Sequence, residues 1–140
     1  MNLNEIEELL NNKDKINKEE FRTTLKTFLN KNVIKNKIDE YIGDFPSIIE
    51  PVVLGKNVKI GDDVLLGPNV LIGDNVEIGD YDEISNTIIL DNSKLGEIFK
   101  LDYCIIEKDT KCNFNNLNIR NCILGGGEVK SVKKINKKCF

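Results

Sequence analysis

KIGDDVLLGPNVLIGDNVEIGD, residues 59–80, returns to an aliphatic residue followed by glycine every six positions. Helical faces recur about every 3.6 residues and strand faces about every 2, so neither periodicity accounts for it. The pattern runs outward in both directions. Aliphatic residues stand at Ile48, Leu54, Ile60, Leu66, Ile72, Ile78 and Ile84, and Gly55, Gly61, Gly67, Gly73 and Gly79 follow five of them in succession. Val52, Val58, Val64, Val70 and Val76 lie two residues before these landmarks, so each unit supplies two apolar side chains to one face.

A strand too short for a hairpin, followed by a turn too regular for a loop, fits a parallel β-helix. Its triangular coil consumes three units, so that residues about 18 apart stack at strand spacing. Landmarks and valines fill the inside, and glycine takes the bend. Asn57, Asn69 and Asn75 take corner positions that tolerate left-handed backbone angles. Pro68 stiffens a corner without occupying an inward position.

Beyond Ile84 the period shortens in an ordered way. ISNTII at 84–89, LDYCII at 101–106 and IRNCIL at 119–124 each use a five-residue step, and they recur at the length of one coil. Thr87, Cys104 and Cys122 therefore share one stacked small-residue position, which makes the cysteines packed thiols. Phe99 is large for a valine-lined interior, and NFNNLN at 113–118 carries one extra residue before Ile119. Thirteen units from Ile48 to Leu124 make a little over four coils.

The first 43 residues read as helical. Asn2 with Glu5, and Asn17 with Glu20, have capping-box spacing. Phe21, Leu25, Phe28 and Leu29 follow at amphipathic spacing, and Val33, Ile34, Ile38, Tyr41 and Ile42 suggest a third helical set ended by Gly43. Phe45-Pro46 breaks the pattern. The expected organisation is a helical cap or association region at 1–45, a mainly β, single-stranded parallel β-helix of about four coils at 46–125, and a basic tail at 126–140. The helices are the natural cover for one open end of the coil, where unpaired strand edges would be exposed.

Charge is uneven: residues 48–125 hold 7 basic and 13 acidic side chains, whereas 126–140 hold 5 and 1. The tail is either a solvated terminus or a surface for an acidic partner. A net charge of -3 argues against nucleic acid as the main partner. No apolar run reaches the length of a membrane span, and the acidic amino terminus has no secretory signal pattern, so the expectation is a cytoplasmic protein without a membrane partner.

The chain has no histidine. Acyl transfer on folds of this repeat uses a histidine base in a groove between subunits, and a second use places three histidines around zinc. Asp62, Asp63, Asp74, Asp80 and Asp82 recur at corner positions, where solubility and turn capping explain them. Cys104, Cys112 and Cys122 occupy inward positions with no histidine to activate them, and Cys139 lies beside lysines near the end of the tail. The repeat positions of the cysteines favour reduced, packed thiols over a disulfide framework, while spacing alone leaves a single disulfide open. ILGGGEVKS lacks the ending of a P-loop and the setting of a dinucleotide fingerprint. No catalytic, cofactor-binding or metal-binding residue is therefore assigned, and no cofactor is expected.

PSIIEPVVLGKNVKIGDDVLLGPNVLIGDNVEIGD, with NTIIL, DYCII and NCILG, resembles the C-terminal left-handed β-helix domain of sugar-phosphate nucleotidyltransferases over about residues 46–125. The resemblance implies the left-handed coil. It also implies an assembly or regulatory module, since the family's catalysis belongs to a preceding α/β domain whose glycine-rich signature has no counterpart in this sequence. The leading expectation is a non-catalytic scaffold or oligomerisation module that forms a homo-oligomer or docks on a partner enzyme. The alternatives are a hexapeptide-class acyltransferase with a non-histidine base and an accessory subunit of a nucleotidyltransferase complex.

Overall fold

The computed structural model describes residues 1–140. Two helices, α1 (Asn4–Asn11) and α2 (Lys18–Asn32), precede fourteen short strands. In chain order these are β1 (Tyr41–Gly43), β2 (Ser47–Ile48), β3 (Val52–Leu54), β4 (Val58–Ile60), β5 (Leu65–Leu66), β6 (Val70–Ile72) and β7 (Glu77–Ile78). They continue as β8 (Glu83–Ser85), β9 (Thr87–Ile89), β10 (Phe99–Ile106), β11 (Lys111–Cys112), β12 (Leu117–Gly125), β13 (Glu128–Val129) and β14 (Asn136–Cys139).

All pairs except β12 with β14 are parallel, and they wind a left-handed solenoid of about five turns. The first face stacks β2, β5, β8 and the first halves of β10 and β12. The second stacks β3, β6, β9 and the second halves of β10 and β12. β1, β4 and β7, then β11 and β13, form the third, bridged through Lys94.

Side-chain rows follow the register. Val52, Val70, Thr87, Cys104 and Cys122 make one inward row, and Leu54, Ile72, Ile89, Ile106 and Leu124 make the next. Phe99 points inward, fully buried, with its ring 5.4 Å from that of Phe114 in the extended NFNNLN step. The corners carry left-handed residues as the period requires: Asn57, Asn69 and Asn75 have φ of 55°, 61° and 57°. At Gly79 a Cβ would collide with the Gly96 carbonyl one coil above, which is why the bend excludes side chains there.

The coil makes about five turns where a little over four were expected, because β1 joins it before Pro46 and β13 after Gly125. The residues read as a third helical set are not helical. Tyr41 pairs with Val58 and Gly43 with Ile60, while Ile38 and Tyr41 pack on the interior. Spacing alone made Ile38 and Tyr41 look like one helical face, but pairing with an existing edge satisfies their backbone as well as their side chains.

The helices do not cap an end. They lie against the second face, whose outward row of Val53, Leu71, Ile88, Ile105 and Ile123 is apolar. Ile6, Leu9, Phe21, Leu25, Phe28, Leu29 and Val33 cover that row. A strand buried on both sides reads as a continuous apolar run, as in VVL, VLI, TII, CII and CIL. Asn17 Oδ1 accepts the Glu20 N–H at 2.8 Å and caps α2 as its spacing suggests. At α1 the boundary residue is Leu3, and Asn2 Oδ1 instead accepts the Asn4 N–H at 2.9 Å.

The tail is ordered onto the other end. Val129 and Ile135 join the solenoid core, and β14 runs antiparallel along the last free edge of β12. Its Phe140 ring stacks on Phe21 of α2 at 4.6 Å.

Candidate functional site

Repetition brings like groups together at each corner. Asn57 donates to Asn75 and Asn75 to Asn92, each at 3.2 Å, while Asn69 donates to Asn86 and Asn86 to Asp102 at 3.0 Å. Asp74 Oδ1 accepts the Lys56 N–H and Asp80 Oδ1 accepts the Asp62 N–H, each at 2.8 Å, from the coil below. Asp91 does the same for Asp74, and Asn115 for Glu97, although the sequence reading singled out neither. Their separation of one coil from the residue they cap was the available signal. Asp63 supplies a left-handed corner with φ of 54°. Asp62 is exposed, and a hydrogen bond and negative charge from Asp44 push it up to about 6.

Asp82 is not a corner residue, contrary to its reading with the other aspartates. It falls six residues after Val76, in the inward row, and is fully buried. Its two oxygens accept the Gly79 and Phe99 N–H groups at 2.8 Å each. Burial nevertheless outweighs these donors and pushes the carboxyl up to about 7.

The cysteines divide into two kinds. Cys104 and Cys112 are buried thiols, each pushed up to about 11 by burial, so both are neutral and poorly nucleophilic near neutral pH. Cys122 and Cys139 are joined in a disulfide, which corrects the expectation of four packed or mobile thiols. The antiparallel return of β14 sets Cys139 directly beside Cys122. Sequence spacing carries no sign of such a return, because the parallel period stops at Gly125.

Several grooves open on the surface; one of about 510 Å³ lies at the first coil beside Lys37, Asp39, Glu40 and Lys56, and three others run along the faces. One of about 360 Å³ follows the third face beside Lys59, Glu77, Lys94 and Lys111, with Lys59 and Glu77 paired at 3.4 Å. A second, of about 290 Å³ on the first face, is lined by Glu83, Lys100, Asp102 and Arg120; their charges pair at 3.9 Å and 3.2 Å. The third, about 370 Å³, lies between α1 and the solenoid, with Leu3, Ile6, Leu10 and Leu90 on its walls. None sets a nucleophile beside a base, and no three His, Cys, Asp or Glu side chains are grouped to hold a metal ion. No helix is long and apolar enough to cross a membrane. Gly126 and Gly127, with φ of 103° and 68°, turn the chain out of β12. They cradle no ligand that the geometry identifies.

What this surface offers is shape, strand edges and fixed charge. Asp74, Asp80, Asp82 and Asp91 serve the backbone, and its thiols are buried or bonded. A family model described as the GMPPB C-terminal domain matches residues 48–138, which span the solenoid from its second strand to the disulfide-bonded return. No curated protein and no solved structure matches the chain. On the strength of that match over most of its length, joined to the five-turn parallel coil, the chain belongs to the GMPPB C-terminal domain family.

Proposed function

We propose that this protein is a non-catalytic association module, a scaffold or regulatory element that assembles with itself or with a nucleotidyltransferase subunit. The observation that carries this reading is the commitment of its cysteines and of four aspartates to structure. Asp74, Asp80, Asp82 and Asp91 each accept backbone N–H groups. Cys104 and Cys112 are neutral in the interior. The chain has no histidine to serve as a base. The family match supports the link to nucleotidyltransferases, whose C-terminal coil it resembles.

The test has two readouts on the purified chain. It should sediment as an oligomer, and it should release no thiol from acetyl or succinyl thioesters supplied with amino-sugar or hydroxyl acceptors. Turnover that follows the protein through purification and is lost on substitution of a groove carboxylate would sink the non-catalytic reading in favour of acyl transfer.

A further inference from the structure

The two ends of the solenoid differ in kind. At the amino-terminal end β1 and β2 pair on one side only, so alternate N–H and C=O groups of the first coil face outward. Around this edge stand Ile34, Ile42, Phe45 and Ile49, and Phe45 is 82% exposed. On the same coil Asp39, Glu40, Asp44 and Glu50 outnumber Lys35 and Lys37, and Asp62 follows Asp44 one coil up. The first four form no ion pair within the chain.

The opposite end carries Lys130, Lys133, Lys134, Lys137 and Lys138 against Glu128 alone, again with no ion pair. Val132 is exposed among them, and β14 leaves its outer edge unpaired. A twofold contact through either end would set like charges against each other. A head-to-tail contact sets opposite charges together and gives each free edge a counterpart.

We propose that the acidic first coil of one copy docks on the lysine-rich carboxyl-terminal end of a second copy, so that solenoids stack head to tail. This rests on the association reading above and names its surface and partner. Because such a contact is heterologous, it does not close at two copies.

The test is sedimentation velocity of the oxidised full chain over a range of protein concentrations, at low salt and at about 1 M salt, where the screening length is about 3 Å. Wild type should grow through successive species with concentration and lose them at high salt. Two charge-swapped variants complete it: Glu40→Lys with Asp44→Lys, and Lys134→Glu with Lys137→Glu, all at exposed positions. Thermal unfolding checks that each is folded. Each variant alone should remain monomeric, whereas an equimolar mixture should associate, because both the native and the inverted contact then become available. A mixture that stays monomeric while wild type associates overturns the proposal. A salt-insensitive oligomer that saturates at a fixed size also overturns it, yet leaves the association reading intact through another face. A wild type that is monomeric throughout overturns it as well, and thioester turnover in that sample removes the association reading too.

Discussion

The Phe99 N–H donates to the buried carboxylate of Asp82 at 2.8 Å inside the coil, in a row that Val64, Phe99 and Leu117 otherwise fill with hydrocarbon. The folded carboxyl titrates near 7 against about 3.8 for an ordinary aspartate. Folded protein therefore binds more protons than unfolded protein between these values. Stability from this group is fully present below the lower value and is lost as pH rises through the upper one. Asp62, raised to about 6, adds slope of the same sign, so the assignment comes from a difference. Asp82→Asn should flatten the fall in denaturant-derived stability between about pH 4 and about pH 7. An unchanged slope would place the titration elsewhere.

The inward assignment of the repeat predicts an asymmetry between neighbours. Val70 is fully buried, whereas Asn69 sits at a left-handed corner and donates to Asn86 at 3.0 Å. Val70→Asp buries an unpaired carboxylate and should unfold the middle coils. Asn69→Asp keeps a side chain that tolerates the corner and should lower the melting temperature far less. Equal melting temperatures would contradict the register.

Thr110 stacks in the inward row of Val76 and Ser93, and its buried Oγ1 has no hydrogen-bond partner. Thr110→Val retains the shape and removes the unsatisfied hydroxyl. Urea unfolding should report a gain of about 1–3 kcal/mol; a loss would mean that the hydroxyl is satisfied in solution.

Ile88 lies at the centre of the outward row beneath the helices and is fully buried. Ile88→Ala should cost about 2–5 kcal/mol. Hydrogen exchange should speed up in α1 and α2 more than in β4 and β7, which face away from them. Uniform loss of protection would indicate that the helices and solenoid unfold as one unit.

Thiol counting under denaturing conditions should find two free thiols before reduction and four after it, since Cys104 and Cys112 are free and Cys122 is bonded to Cys139. The bond spans 17 residues, a loop whose closure is worth about 3 kcal/mol. Cys139→Ser should lose roughly that amount and release β14, which limited proteolysis after Gly127 would detect.

The sequence alone determined the coil. Inward valines and isoleucines, glycine at bends and asparagine at corners each answer a local steric demand, and those demands repeat every six residues. The five-residue steps were legible for the same reason, and so was the Asn17 cap. The tertiary structure decided what depends on where distant segments meet. The helices went to the second face because Val53, Leu71, Ile88, Ile105 and Ile123 form one apolar row only after five coils are stacked. Tyr41 became a strand because Val58 offered an edge. Cys139 met Cys122 because the chain reversed beyond Gly127, outside any period. Asp82 lies in the repeat at a position the period itself marks as inward. Reading it as a corner residue followed its chemistry rather than its place, and the folded structure shows that place prevailing, because two backbone N–H groups there receive the carboxylate.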